Sequence, residues 1–379
     1  MRGRAELEGE RYDTYWTESF HPKAARTQHR LHATEMETLE DPELCFPQLL
    51  NASCVKTKRP HFEAMLTYIL LFSVSLLTAF LNLLVIISIS HFKIPIAIIM
   101  MMMLIFLSRQ LHTPTNLLLL SLAVSDFFVG LFWLFQIMLI DGCWFLGDLM
   151  CTLYQYFDYI ISSTSVGTMV LISVDRYVAI CDPLHYATKV TPKAVKLCVC
   201  LCWTCSVIFQ SLILMDNLQQ PGIYNSCFGE CIIVINYFSG LADVIFSFII
   251  PITVIVVLYM RVFVVAVSQA RAMRSHIAGV SQCSTKVTAK KSELKAARTL
   301  GVVVAVFLTC FCPFYCVSLT SKDNLMNTSA AAFVICLYSF NACLNPVIYA
   351  FFYPWFRKSM KLILTLQILQ PDSCDTTIV

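Results

Sequence analysis

The sequence predicts an all-α membrane protein: a bundle of seven transmembrane helices, with a short amphipathic eighth helix on the cytoplasmic face. Three observations support this fold class. The 379-residue chain is 58% hydrophobic and 13% charged, whereas soluble proteins of this size are about a quarter charged. Its mean hydropathy is +0.70. Its apolar runs are long and continuous, whereas a transmembrane barrel would show alternating segments of about ten residues.

Seven apolar runs reach the length of about 20 residues that a helix needs to cross a bilayer. They cover approximately 64–90, 117–140, 149–178, 194–215, 236–266, 297–320 and 330–353. We therefore predict the bundle over 64–353, after an extracellular N terminus over 1–63. A cytoplasmic amphipathic helix and tail should follow over 354–379. Residues 1–35 contain no apolar segment of the signal-peptide type, and we expect translation to start at Met36.

Lysine and arginine are concentrated in alternate loops, which sets the orientation. Neither residue type occurs in the loop over 141–150 or in the loop over 216–235. The loop near 321–329 carries only Lys322. These three loops should therefore be extracellular, whereas the three remaining loops and the tail are basic and should be cytoplasmic. The N terminus is then extracellular and the C terminus cytoplasmic, in a multi-pass protein of the plasma membrane.

An apolar segment interrupts the first cytoplasmic loop. Residues 94–107 carry no charge and include four consecutive methionines. A helix of this length would extend only about 21 Å, short of a bilayer core of about 30 Å. We therefore interpret 94–109 as an insertion rather than an eighth span. It is either an apolar segment on the inner leaflet or an artefact of the gene structure.

Eighteen cysteines divide by predicted compartment. Most lie in apolar runs, where cysteine behaves as a small hydrophobic residue. Five lie in extracellular positions and are the candidates for disulfides, because that compartment is oxidising: Cys45, Cys54, Cys151, Cys227 and Cys231. Asn51 begins an Asn-Ala-Ser glycosylation sequon in the N terminus.

Four acidic residues fall within predicted spans, where each charge costs about 2.5–3.5 kcal/mol on insertion scales. They are Asp126, Asp158, Asp175 and Asp243. Such residues mark functional sites or hold helices together.

Asp158 is the best candidate for a cation site. It lies near the outer end of the third span, one turn after Tyr154, with Ser162 and Ser165 on the same helical face. A carboxylate beside aromatic rings attracts a cation by charge and by cation–π contact. Asp243, eight residues before Pro251, could take a second ammonium group; its alternative role is a polar helix contact.

Two motifs point to a family. The sequence VDRYVAICDPLHY occupies 174–186 at the inner end of the third span, and NACLNPVIYAFFYPWFRKSMK occupies 341–361. Together they resemble the rhodopsin-like G-protein-coupled receptors. The last helix and the doubled cysteine of CFGEC resemble the trace-amine-associated receptors within that class, and the likeness covers about 62–369.

The resemblance implies roles for specific residues. The ligand-binding set is Asp158, Asp243, Ser162, Tyr154, Phe311 and Phe314. The set for an allosteric sodium ion is Asp126, Ser165, Asn341 and Asn345. The set for G-protein activation is Asp175, Arg176, Tyr177, Tyr259, Glu293, Asn345, Pro346 and Tyr349. The resemblance also implies that Cys231 bonds Cys151 and that Cys227 bonds Cys45 or Cys54.

Two positions depart from the family pattern. The usual tryptophan of the sixth helix is Phe311, which keeps the apolar bulk without an N–H donor. The usual seventh-helix tyrosine falls at Ser339, with Tyr338 one position away.

The expected function is therefore that of an olfactory-type receptor for small amines, including diamines. It would act through a stimulatory heterotrimeric G protein that raises cAMP. Its partners would be the amine, the G protein and the lipid bilayer, with no cofactor besides the sodium ion. A receptor-like product with impaired folding or signalling is one alternative. A transporter is another, although no inverted repeat is visible. We expect no enzyme activity, no metal site and no nucleic-acid binding.

Overall fold

The computed structural model describes residues 15–16, 43–49, 51–56, 60–90, 113–277, 301–302, 304–316, 328–352, 356–358, 360–361 and 365. The insertion over 94–109 and Glu293 lie outside this set, as do Met36 and most of the tail.

The described chain is almost entirely helical. Its longer helices are α1 (His61–Ser90), α2 (Pro114–Phe132), α4 (Asp148–Cys181), α6 (Pro192–Ile213), α9 (Ile250–Ile277), α10 (Val304–Cys316) and α11 (Thr328–Phe352). Its shorter helices are α3 (Gln136–Asp141), α5 (Tyr186–Lys189), α7 (Met215–Gln219) and α8 (Tyr237–Asp243), and a π-helical turn (Val244–Ile249) joins α8 to α9. Two short strands, β1 (Tyr15–Trp16) and β2 (Ile235–Asn236), pair antiparallel.

Five helical stretches in the described chain are long and apolar enough to cross a membrane. They are His61–Ile89, Pro114–Phe132, Asp148–Cys181, Pro192–Ile213 and Tyr237–Ser268. With the apolar helices α10 and α11, they form the predicted all-α bundle. Large apolar side chains of α1, among them Phe62, Ile69 and Phe72, are exposed on its outer surface, as expected for a helix that faces lipid.

Helix starts follow local signals in the sequence. Thr113 precedes α2 and accepts a hydrogen bond from the Asn116 amide at 3.3 Å, with Pro114 at the first helical position. Thr191 does the same for α6, with Pro192 next. A threonine cap followed by proline satisfies one amide and removes another that would have no partner.

Two predicted runs are divided in the structure. The second run, 117–140, ends as a regular helix at Phe132. Phe135 and Gln136 then donate to the carbonyls three residues earlier, at 2.9 and 3.2 Å, before α3 begins. The fifth run, 236–266, contains the π-helical turn just before Pro251. A proline has no N–H and its ring crowds the carbonyl four residues earlier, so a wider turn is accommodated there.

Helix α2 forms the centre of the core. It packs against α1, α4, α6 and α11, and its residues 117–120 are 1–3% exposed. Phe356 is also buried in this cluster, with Met360 packed against it. The start of the predicted eighth helix therefore lies against the bundle, where 356–358 are helical.

Three disulfides join one end of the bundle, called here the disulfide end. The structure bonds Cys151 to Cys231 and Cys54 to Cys227. The third bond joins Cys45 to Cys143. Cys143 was not among the five predicted cysteines, so the expected set was incomplete. The two N-terminal cysteines, Cys45 and Cys54, are therefore bonded to cysteines of two different loops.

Candidate functional site

Asp158 lies in α4, seven residues after Cys151 at the disulfide end. Its side chain is half-buried. Within the described part of the chain, it forms no ion pair and no hydrogen bond. Ser162, one turn further along, is also half-buried. A carboxylate in this setting is able to pair with a positively charged group.

The Tyr154 hydroxyl forms a hydrogen bond with a residue other than Asp158. Its hydroxyl donates to Gln136 Oε1 at 3.0 Å. Its ring lies 5.5 Å from that of Trp144, 5.8 Å from Phe135 and 6.0 Å from Phe132, measured between centroids. The ring forms an apolar wall one turn from Asp158, and the hydroxyl is occupied by α3.

Asp243 lies at the end of α8, facing α6. Its Oδ1 accepts hydrogen bonds from Ser247 Oγ at 2.7 Å and from Gln210 Nε2 at 3.1 Å. Asp243 is 5% exposed and Gln210 1%. Sequence reasoning missed Gln210, although a single amide within the apolar run of α6 was a usable signal.

Asp126 lies at the centre of the bundle, where it is 1% exposed. It accepts hydrogen bonds from Asn345 Nδ2 at 2.7 Å and from Ser165 Oγ at 3.4 Å. The Oδ1 atoms of Asn82, Asn341 and Asn345 are buried, and none has a hydrogen-bond partner among the described residues. An orphaned amide oxygen on a residue that bonds the carboxylate, as at Asn345, is suited to a small cation or ordered water.

Asp175 and Arg176 meet near the other end of α4. Arg176 Nε lies 2.9 Å from Asp175 Oδ2, and its Nη2 contacts both Asp175 and Thr115. The Thr115 hydroxyl donates to Asp175 Oδ2 at 3.0 Å, and the Tyr186 hydroxyl donates to Asp175 Oδ1 at 2.8 Å. Asp175 is 3% exposed, so this buried charge is fully supplied with donors.

The helix α5 beside this cluster is also ordered by charge. Burial raises the pKa of the Tyr186 hydroxyl above its ordinary value. Hydrogen bonds, first from Lys189 and then from His185, lower the pKa of Asp182. The two hydrogen bonds to Asp182, which lies at the end of α4, hold α5 against that end.

The remaining residues of the predicted activation set are only partly described. Tyr177 and Tyr259 are half-buried, and Pro346 is buried in α11. Tyr349 belongs to α11, but its side chain lies outside the described set, as does all of Glu293. A contact between Arg176 and Glu293, both members of the predicted activation set, would therefore lie outside the described residues.

Comparison with known proteins identifies the family. Residues 97–349 match the family described as 7 transmembrane receptor (rhodopsin family). Trace amine-associated receptor 8a of Rattus norvegicus is 36% identical over 344 residues, covering 87% of this chain and 95% of the relative. Trace amine-associated receptor 13c of Danio rerio is 34% identical over 351 residues, with 88% and 96% covered. Trace amine-associated receptor 4 of Mus musculus is 33% identical over 349 residues, with 89% and 95% covered.

The chain belongs to the trace amine-associated receptors. It is a rhodopsin-family receptor and a multi-pass membrane protein, as the sequence predicted.

The two departures from the family pattern come together in this receptor. Phe311 is 4% exposed, and its ring lies 4.3 Å from Phe307 and 4.6 Å from Tyr338. Tyr338 also lies 4.7 Å from Phe314. The tyrosine that is one position from the usual site therefore packs on the phenylalanine that replaces the usual tryptophan, while Ser339 is buried.

Proposed function

We propose that this receptor binds small amines at the disulfide end and signals through a stimulatory G protein that raises cAMP, as an olfactory-type amine receptor. The observation that carries the proposal is Asp158, which forms no ion pair and no hydrogen bond with any described residue. A charge inside a membrane protein is stable only with a partner. The ammonium group of an amine supplies that partner, and the aromatic wall around Tyr154 adds cation–π attraction.

Asp243 extends the ligand choice to diamines. It lies on a different helix from Asp158 and also forms no ion pair among the described residues. Two carboxylates can each take one ammonium group, so a dication would gain more than a monocation. The distance between the two carboxylates would then select the length of the diamine.

Activation is proposed as a population shift between two states, which the amine drives by binding one of them better. Closure of the ligand site around Phe311 and Phe314 would move α10. Release of Arg176 from Asp175 at the other end of α4 would then open a surface for the G protein. Glu293 is proposed as a second acid that pairs with Arg176 in the inactive state.

The Asp126 cluster is proposed to hold a sodium ion. Asp126, Ser165, Asn341 and Asn345 would be its ligands, and the orphaned amide oxygens fit that role. The ion would stabilise the inactive state. Replacing sodium by N-methylglucamine should increase amine affinity in the receptor, and an Asp126→Asn variant should show no such increase. An equal increase in both proteins would argue against the site.

The membrane arrangement is proposed from the same features. The disulfide end would face the outside of the plasma membrane, since disulfides persist in oxidising surroundings. The Arg176 end would face the cytoplasm. Asn51 is exposed beside the disulfides, where a glycan would be accommodated.

The test is a concentration–response measurement of cAMP in cells that express the receptor. Asp158→Asn should abolish the charge pair, which is worth about 2–5 kcal/mol and therefore roughly 30-fold or more in potency. Asp158→Glu should keep part of the response. Asp216→Asn, which changes an exposed acid at the same end, should leave potency unchanged.

Surface staining of each variant separates binding from folding. A well-expressed Asp158→Asn receptor with undiminished amine potency would refute the proposal. A version without residues 94–109 is measured in parallel. If only that version reaches the surface and responds, the full chain is the receptor-like product considered above.

A further inference from the structure

Gln210 has hydrogen-bonding groups whose role is explained neither by helix packing nor by the proposed binding of one amine at Asp158. It lies in α6 and is 1% exposed. Its amide nitrogen donates to Asp243 Oδ1 at 3.1 Å. Its Oε1 is buried and has no hydrogen-bond partner among the described residues. A buried acceptor without a donor is unfavourable unless a bound group supplies one.

The hydrogen bonds to Asp243 involve only one of its two carboxylate oxygens among the described contacts. Both donors, Gln210 Nε2 and Ser247 Oγ, reach the same oxygen, Oδ1. No described residue donates to Oδ2, and Asp243 forms no ion pair within the described chain. The pair therefore presents one anionic oxygen and one neutral oxygen, each able to accept a hydrogen bond.

Among the residues that the structure describes, none forms an ion pair with Asp243 that a ligand would have to displace. Apolar residues dominate the neighbouring cluster, which includes Ile213, Leu214 and Ile235. The nearest neighbour in sequence, Ser211, bonds instead to Tyr156 at 2.8 Å. In this setting the two acceptors have no described donor, so the chemistry of the pair favours a positively charged donor.

We propose that Gln210 is a specificity-determining residue that, together with Asp243, binds the second ammonium group of a diamine. Gln210 Nε2 and Ser247 hold Asp243 by Oδ1, while Asp243 Oδ2 and Gln210 Oε1 accept two of the three N–H groups of a primary ammonium. This inference rests on the proposed amine function, in which Asp158 binds the first ammonium.

The test compares 1,5-diaminopentane with pentylamine, which lacks the second ammonium. In Gln210→Met, an apolar side chain of similar length replaces the amide and so removes both Nε2 and Oε1. The diamine concentration for half-maximal cAMP should rise about tenfold, equivalent to about 1.4 kcal/mol. The response to pentylamine should not change. Ser211→Ala, on the same helix, should alter neither response.

A double-substitution cycle identifies the partner. If Gln210 acts with Asp243, adding Gln210→Met to Asp243→Asn should cause no further loss of diamine potency, because residues that share one interaction are not additive. If Gln210→Met does not reach the cell surface, Gln210→Asn is used instead. Its amide is one methylene shorter and should show the same diamine-specific loss.

The outcomes separate this inference from the proposed function. Equal losses for both amines in the Gln210 variants would show a purely structural residue and overturn it. So would an unchanged diamine response, or a receptor that responds to pentylamine alone. In those cases Asp158 remains the amine site. A receptor that responds to neither amine overturns both proposals.

Discussion

Asp175 is held by residues from three helices: Arg176 on its own helix α4, Thr115 on α2 and Tyr186 on α5. All three contacts are made to the carboxylate of Asp175, which is almost completely buried. The proposed signalling step requires Arg176 to leave this cluster. Any donor that Asp175 loses should therefore favour the signalling state.

Tyr186→Phe removes one donor without changing the ring. A hydrogen bond to a charged group contributes about 1.5–3 kcal/mol, of which water would recover part. We expect ligand-free cAMP to rise several-fold in cells with equal surface staining. Thr188→Ala is the control, since the Thr188 hydroxyl donates to the carbonyl of His185, the residue before α5, and not to Asp175. Unchanged basal cAMP in Tyr186→Phe would contradict a restraining role for this contact.

Individual residues differed in how well the sequence predicted them. Asp158 and Asp243 could be identified as candidates, because an acid within an apolar run is unusual by residue type alone. Gln210 was missed, because an uncharged amide is less conspicuous than an acid and its partner is 33 residues away. Cys143 lies in a loop that the orientation rule placed outside, but its pairing with Cys45 depends on contacts between segments 98 residues apart.

At the scale of elements, α1 and α2 approach closely at Gly130. A methyl group there would lie 2.7 Å from the Ala79 backbone nitrogen. Ser75 on α1 also donates to the Gly130 carbonyl. The absence of a side chain at Gly130 therefore allows both the contact and the hydrogen bond.

Gly130→Ala should force the two helices apart. Overpacking of this kind costs about 1–3 kcal/mol, so the detergent-solubilised receptor should unfold at a lower temperature and fewer molecules should reach the cell surface. Gly301→Ala is the matched control, because an added methyl group meets nothing within 4 Å. Equal unfolding temperatures for the two variants would show that the α1–α2 contact adapts.

Some helix starts carry a local signal that the prediction from hydropathy did not use. Thr113–Pro114 and Thr191–Pro192 mark the starts of α2 and α6. The interruption after Phe132 was not predicted, since hydropathy continues through Trp133 and Leu134. The π-helical turn before Pro251 was also missed. It places Ser247 at the Asp243 carboxylate, a geometric detail that hydropathy does not report.

For the whole molecule, the disulfide end is the most heavily cross-linked region described. The Cys54–Cys227 bond closes a separation of 173 residues, the longest of the three. Phe46 packs nearby, with its ring 5.5 Å from Phe145 and 6.4 Å from Phe228. Covalent bonds and aromatic contacts together fix the N-terminal segment over two loops.

Replacing both Cys54 and Cys227 by serine should lower the thermal stability of the receptor. A bond that closes so long a loop contributes up to about 5 kcal/mol by restricting the unfolded chain. The measurement is the unfolding temperature in detergent, with intrinsic fluorescence as the signal. Cys198→Ser, at an exposed free cysteine, is the control. If the two variants unfold at the same temperature, the other two disulfides are sufficient to fix this segment.

The pairing pattern also constrains how the protein is made. Cys45 and Cys54 are synthesised first, before Cys143 and long before Cys227. Until Cys143 is synthesised, each therefore has the other as its nearest thiol in sequence, and neither native partner exists. A bond between them would have to be exchanged later, by thiolate attack through a mixed disulfide. Production of this receptor should thus depend on disulfide isomerase activity in the compartment where it folds, and increasing that activity should raise the yield.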